Sequence, residues 1–420
     1  MNERTVDVLV IGAGPAGLAA AISAREKGIE SLLVIEREKE AGGILRQCIH
    51  NGFGLHRFKE ELTGPEYAQR DIDRAAGLNI PIECSTTVLS VSPDRTVTCV
   101  SADKGLQVIR AGAVVLAMGC RERPRGALCT PGARGSGIYS AGTAQRFVNL
   151  EGVMPGRRVV ILGSGDIGLI MARRMTLQGA KVLACVEIMP YSSGLNRNIV
   201  QCLQDYDIPL YLSHTVTSVR GRERLEGVTV SRVDEHRAPV PGTEIEFDCD
   251  TLLLSCGLIP ENELSAGAGV DLSPATSGAV VDETFETSVP GIFACGNVLH
   301  VHDLVDHVSN ESFSAGAAAA EYILNGRRET SFIQVLDGDG VRGTVPQKIR
   351  RAAEGPVDLM FRPTTVWRNS AAVVECGGKE ILRKKAMIYT PGEMALVTLK
   401  PEHLRQLAGD TLVVRMERMD

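Results

Sequence analysis

The stretch Val6-Asp7-Val8-Leu9-Val10-Ile11-Gly12-Ala13-Gly14-Pro15-Ala16-Gly17 decides the reading of this chain. Its first six residues form a short apolar run, fit for a strand buried on both faces of a parallel sheet. Gly12 permits a tight turn and Gly14 lets the backbone approach a pyrophosphate. Gly17 lets the next helix pack closely on the sheet, with its N-terminus facing phosphate charge. An alanine-rich helical stretch then runs to Lys27, with Ala21 extending the close contact, and Gly28 and a strand at Leu32–Ile35 complete a βαβ unit. Glu36, 24 positions after Gly12, ends that strand where a carboxylate accepts hydrogen bonds from ribose hydroxyls. A merely structural glycine turn leaves Glu36 unexplained, so the segment reads as a dinucleotide cradle.

The whole pattern returns 151 residues later in Gly163-Ser164-Gly165-Asp166-Ile167-Gly168, flanked by strands Val159–Leu162 and Val182–Val186 and followed by Ala172, Gly179 and Glu187. A carboxylate at Glu187 favours the free 2′-hydroxyl of NAD and repels the 2′-phosphate of NADP. The following Ile188-Met189-Pro190 supplies no arginine, which leaves Arg173 and Arg197 as the residues that would reach back to such a phosphate. Each fingerprint holds one dinucleotide, and two in one chain suggest a flavin dinucleotide exchanging electrons with a nicotinamide dinucleotide. Two apolar runs, closing in Ala117-Met118-Gly119 and Ser255-Cys256-Gly257, end the two units, and Pro290-Gly291-Ile292-Phe293-Ala294-Cys295-Gly296-Asn297 is a further strand into a tight turn. A long alanine-rich helix is predicted from about Glu311 to Asn325. From residue 331 short strands are expected at Val357–Phe361, Ala371–Glu375, Ile381–Lys384, Met394–Leu399 and Thr411–Met416.

The fold class is therefore α/β, with two Rossmann-like dinucleotide-binding domains and a small C-terminal β-rich module. The expected limits are 1–150 and 276–330 for the two parts of the first dinucleotide-binding domain, 151–275 for the second, inserted between them, and 331–420 for the module. The net charge of -6 gives no basis for a nucleic-acid partner, and 4% aromatic residues with one tryptophan offer no platform for stacked bases. Eleven cysteines without one Cys-x-x-Cys argue against zinc, iron–sulfur sites and a secreted disulfide framework. No apolar stretch approaches the roughly 18 to 20 residues that span a bilayer, and the N-terminus lacks the order of a signal peptide, so a cytoplasmic setting is expected.

From residue 5 to about 328 the chain resembles the two-dinucleotide flavoprotein superfamily that includes glutathione reductase and thioredoxin reductase. The resemblance implies that FAD sits on Gly12, Gly14, Ala16, Gly17, Glu36, Arg37 and the Gly42-Gly43 signature, with Val88, Ala117, Gly119, Gly296 and Asn297 completing the site. It likewise implies NAD on Gly163, Gly165, Ile167, Gly168, Glu187 and Gly257. Asn297 stands where the superfamily usually has an aspartate bound to the ribityl chain, and a neutral amide pairs with a hydroxyl more weakly than a charge does.

Both dithiol patterns of the superfamily are missing. Leu45 and His50 occupy the positions of one pair and Ala141 and Ala144 those of the other, so disulfide reduction is not expected. Cys48 and His50, in a segment the resemblance carries past the flavin ring, are the candidate catalytic residues, a thiolate to donate charge and an imidazole to move a proton. The competing reading is a packed thiol and a hydrogen-bonded ring. His300-Val301-His302-Asp303 with Asp306 and His307 has the composition of a metal cluster, but its place directly after the flavin turn favours lining the ring or holding the loop, so no metal is expected.

The segments Gly42–Arg46 and Ala141–Gln145 and the β-rich tail resemble flavin subunits of bacterial opine and proline dehydrogenases and of hydrogen cyanide synthase. Arg46–Gly54 with Glu61–Tyr67 is similar to a bacterial flavoprotein encoded beside a glycerol-3-phosphate-dehydrogenase-like subunit. The resemblance implies an electron-transfer subunit exchanging hydride between NAD(H) and FAD for a dehydrogenase partner. Two alternatives stay open: a self-sufficient dehydrogenase of a small amine or hydroxy acid, and a non-enzymatic redox-sensing module that docks a partner. Homo-oligomerisation through the tail also stays open.

Overall fold

Asn2–Ile11 is an inner strand of a seven-stranded sheet, with parallel neighbours Leu32–Ile35 on one side and Gly105–Leu116 on the other. Val8, Leu9 and Val10 are all fully buried, in one core with Leu18 and Ala319 of the helices and Val97 and Val281 of strand and loop, which leaves no exposed side for alternation. Gly105–Leu116 changes partners along its length: its first half pairs antiparallel with Thr96–Ser101 and its last residues pair parallel with Ile292–Ala294. That switch brings the late turn at Gly296 alongside the first glycine turn. This sheet belongs to one of two compact units of the computed structural model, which describes residues 2–326 and 331–419. The units are Met1–Cys120 with Pro260–Asp420, and Arg121–Ile259.

The helices Pro15–Glu26 and Val305–Asn325 pack closely enough that a Cβ on Gly316 would stand 2.1 Å from the Ala20 carbonyl oxygen. The alanine content of both stretches is this contact: small side chains let two helix backbones approach. The second helix begins at Val305 rather than near Glu311, after Leu304 turns the chain in extended conformation.

The second unit has a parallel five-stranded sheet in the order Ile138–Ser140, Thr251–Leu254, Arg158–Leu162, Lys181–Glu187, Leu210–Leu212. Its central strand alternates between two cores: Val159 and Ile161 join the helices' cluster, while Val160 and Leu162 join a cluster with Val216, Val228 and Val230 of an antiparallel three-stranded sheet. Residues 121–150, expected with the first FAD segment, run with this unit because Ile138–Ser140 pairs with Thr251–Leu254. Residues 260–275, expected with the inserted domain, run with the first unit.

The C-terminal module is two sheets, five-stranded and three-stranded, around a core of its own that includes Val335, Leu359, Val374, Val397 and Leu412. Strands cover four of the five expected segments and, from Ala395, the fifth, and Phe332–Asp337, Val341–Val345 and Lys348–Arg350 precede them. The expected boundary at 330/331 abuts residues 327–330, which lie outside the described residues. Among the described residues, no helix is long and apolar enough to cross a membrane.

Candidate functional site

In the first unit, Gly12 takes a φ of +105°, and a Cβ there would stand 2.5 Å from the Ala117 carbonyl oxygen. Only glycine turns the chain so tightly against the neighbouring strand. At Gly17 the added carbon would lie 1.7 Å from the Gly12 oxygen, so the helix rests directly on the turn. Glu36 is buried, and one carboxylate oxygen accepts from the Ala13 amide at 2.7 Å while the other accepts from the Glu38 amide at 2.9 Å. The Gly42 amide donates to the Ala13 carbonyl at 2.8 Å, and the Gly14 and Gly43 backbones face each other with no room for a side chain on Gly43. Gly296 closes the far side, since a Cβ there would meet the Ala16 methyl at 2.7 Å. The expected residues Gly12, Gly14, Ala16, Gly17, Glu36, Gly42, Gly43, Ala117 and Gly296 are thus gathered around one turn. Val88 sits half-buried on Thr86–Val91, whose first amide donates to the Glu36 carbonyl, and Arg37 is exposed beside Glu36.

The second unit builds the same object. A Cβ on Gly163 would lie 2.0 Å from the Ser255 carbonyl oxygen, and the Gly168 amide donates to Ser255 Oγ at 3.0 Å. Buried Glu187 accepts from the Ser164 amide at 3.0 Å, from Ser164 Oγ at 2.6 Å and from the Met189 amide at 3.0 Å. Sequence reasoning passed over four participants here, Ser164 and three more. Asp166 accepts from the Leu195 amide and from Asn198 Nδ2, Ser192 Oγ donates to the Ser164 carbonyl, and Ser255 holds the helix start. The signal for Ser164 and Asp166 was their place inside the fingerprint.

Both cradles fit a dinucleotide. Side chains on Gly119 or Gly257 would meet nothing within 4 Å, so open space lies beyond each strand end. Gly14 and Gly165 have no side chain with which to cap the helices that follow them, although Ser255 Oγ takes the Gly168 amide of the second, whereas the helices after Thr63 and Ser140 are capped by the hydroxyls of those residues. A helix start left to glycine presents its first amides and its positive end to an anion.

Of the histidine-rich segment, His300 and His302 converge on Glu311, with His300 Nε2 2.6 Å and His302 Nε2 3.2 Å from the same carboxylate oxygen. The other Glu311 oxygen accepts from the Gly296 amide at 2.6 Å. Asn297 turns its carbonyl oxygen to the His302 amide at 3.0 Å and its amide nitrogen toward the Cys120 sulfur at 3.6 Å. Asp303 leaves the group, accepting from Arg362 and the Met394 amide of the C-terminal module. Asp306 accepts from the His56 amide, and His307 stacks on His56. Cys48 donates its thiol to the Ile44 carbonyl, and burial pushes that thiol up to about 12. His50 is half-buried with Nδ1 on the Asn51 carbonyl oxygen and its ring against Phe53.

A Rossmann-type strand–turn–helix present twice, each copy with its own strand-end carboxylate, defines the class: a two-dinucleotide α/β protein. The chain belongs to the pyridine nucleotide-disulphide oxidoreductase family, which it matches over residues 6–334. Members of this family are flavin-dependent oxidoreductases that use FAD and NAD(P)H. One of the subunits of the opine oxidase of Agrobacterium tumefaciens (strain Ach5) is 26% identical over 309 residues, 69% of this chain and 61% of that protein. This chain therefore spans about three fifths of that relative's length. The glutamate synthase [NADPH] small chain of Escherichia coli (strain K12) is 29% identical, over 76% of this chain and 68% of its own. Among solved structures, T. acidophilum thioredoxin reductase superposes with a TM-score of 0.64 at 25% identity, covering 77% of this chain and all of that one.

Proposed function

We propose that this chain is an FAD-dependent oxidoreductase that exchanges hydride between NAD(H) and FAD as the electron-transfer subunit of a larger dehydrogenase. The observation that carries the reading is the duplicated anchor: Glu36 on the Ala13 and Glu38 amides, and Glu187 on the Ser164 and Met189 amides. In this reading the first unit takes FAD and the second takes NAD. Gly12, Gly14, Ala16, Gly17, Gly42 and Gly43 admit the pyrophosphate, Glu36 takes the ribose, and Arg37 and Val88 flank the adenine. Ala117, Gly119, Gly296 and Asn297 receive the rest of FAD. Gly163, Gly165, Ile167, Gly168 and Gly257 frame the second pyrophosphate, and Glu187 selects NAD by repelling a 2′-phosphate.

The bound dinucleotides supply the hydride chemistry, and the protein supplies position and electrostatics. The absence of a dithiol at Leu45, His50, Ala141 and Ala144 argues against disulfide reduction. His50 is the candidate proton carrier near neutral pH. Cys48, held as a neutral thiol by burial, serves in packing rather than as a charge donor. Two relatives named as parts of larger enzymes, the opine oxidase component and the glutamate synthase small chain, support a partner that handles the carbon substrate. Anaerobic titration of the purified, FAD-loaded chain tests the proposal. NADH bleaches the flavin band at about one equivalent, and NADPH requires at least about tenfold more. A flavin band unmoved by NADH removes the proposal.

A further inference from the structure

Among the described residues, one group of His, Cys, Asp and Glu side chains gathers its donor atoms closely enough for a metal ion: His300, His302 and Glu311, all within 4.8 Å of one another. The three are 4%, 9% and 5% exposed, so water does not satisfy them.

The hydrogen-bond pattern places a proton on one nitrogen of His302. The His302 backbone amide donates to Asn297 Oδ1, and a backbone N–H can only donate, so that atom is oxygen. His302 Nδ1 stands 3.3 Å from the same oxygen and therefore carries its own hydrogen toward it. A neutral His302 then directs the lone pair of Nε2 at Glu311, whose nearer oxygen is 3.2 Å away and also electron-rich. The Gly296 amide holds the carboxylate by its other oxygen, so it cannot swing aside. His300 Nε2 reaches the same oxygen from a second direction. Something positive belongs where these three atoms converge.

We propose that His300 Nε2, His302 Nε2 and Glu311 Oε2 ligate one divalent transition-metal ion of the zinc or iron(II) class. Two imidazoles and one carboxylate are a donor set suited to such ions and leave further positions open. A ring whose second nitrogen is held by an amide oxygen matches the outer-sphere support that metal-bound histidines receive. Metal–ligand bonds of about 2.0–2.1 Å separate neighbouring ligand atoms by roughly 3 Å. The His302–Glu311 distance of 3.2 Å meets this, the His300 ring backs off from its 2.6 Å, and the two rings draw together within the 4.8 Å that now spans the group. Bound there, the ion would tie the His300–His302 segment to the helix Val305–Asn325, whose Glu311 already holds the Gly296 amide.

Metal analysis of the full chain, purified without a histidine tag, decides the matter. After chelation and anaerobic reloading with zinc, iron(II) or cobalt(II), about one ion per chain remains through gel filtration. The cobalt form has a visible d–d spectrum. His302→Ala and Glu311→Gln, checked for folding by circular dichroism, each lower retention at least tenfold, while His307→Ala retains the ion. Failure of the folded wild-type chain to retain any of the three metals overturns the site and assigns the central positive charge to a proton. Full retention by both ligand variants overturns it equally. Metal content is read without turnover, so this result and the NADH titration fail independently.

Discussion

Gly12–Glu36 and Gly163–Glu187 obey the same spacing, yet their rims are built from different chemistry. In both, the strand-end carboxylate accepts from the second fingerprint residue and from the amide two residues beyond itself. In the first, the flanking segment is Gly42-Gly43, bare backbone lying against Gly14. In the second, the corresponding residues are Ser193 and Gly194, whose amides donate to Ser164 Oγ and Ser192 Oγ, with the next amide, of Leu195, on Asp166. Asp166 itself replaces Pro15. The strand, turn and helix set that a dinucleotide is held. The rim, smooth in one copy and hydrogen-bonded in the other, sets how it is held.

The sharpest way to break this comparison is at the third glycine. An added methyl meets the Gly12 oxygen at 1.7 Å for Gly17 but the Gly163 oxygen at 2.8 Å for Gly168. Gly17→Ala is expected to cost about 3 kcal/mol and Gly168→Ala about 1 kcal/mol, the range for overpacking in a tight site. Denaturation followed by flavin fluorescence for the first unit, and NADH titration of the soluble Gly168→Ala chain for the second, give the ranking. The reverse order would mean that these approach distances do not set the cost.

Next come the carboxylates. Glu187→Ala raises the NADH KM about tenfold, equivalent to about 1.4 kcal/mol, with kcat changed less than about twofold, and it narrows the preference over NADPH. Glu36→Ala instead releases FAD during gel filtration. If both variants behaved alike, the division of cofactors between the units would be lost.

A smaller difference is expected in acid. At the edge of the first sheet, Glu83 accepts from Arg4 and Lys104, each at 2.7 Å, and the Arg4 bond holds its carboxyl down at about 2. The positions 151 residues on are Pro155, Asp234 and Ser255, which form no such group. A depressed carboxyl stabilises the fold fully above its ordinary value of 4.5, and the contribution disappears as pH falls toward about 2. Glu83→Gln therefore lowers stability by about 1 kcal/mol at neutral pH and flattens the loss below pH 5. The smallest effect belongs to Cys48. Because its thiol is pushed up to about 12, Cys48→Ala leaves flavin reduction by NADH within about twofold from pH 6 to 9. A charge-transfer band lost in that variant would restore a thiolate at the site.

The sequence made the cradles legible because their constraints are local. A turn with no room for Cβ, a helix start without a cap and a carboxylate 24 residues on all register in spacing alone. It also anticipated the strand at Ile292–Ala294 and five strands of the tail. What escaped depends on long-range placement. Nothing near His300 announces Glu311 as its partner, because the chain must pass through Leu304 and into the helix Val305–Asn325 before the two meet. Ile138–Ser140 gives no local hint that Thr251–Leu254 is its neighbour. Asp303 looked like one more acid beside two histidines, although its cation lies in another sheet.

That last carboxylate bears on how such a chain can be shortened. Asp303 is gripped by Arg362 and by the Met394 amide, 59 and 91 residues downstream, and Arg362 also holds the Val301 carbonyl. A protein trimmed back to its two nucleotide-holding parts would leave the Asp303 carboxylate, one residue after His302, with no cation or amide to answer it. The damage would surface at the two imidazoles before it reached any strand, making the tail a splint for the turn it never joins in sequence.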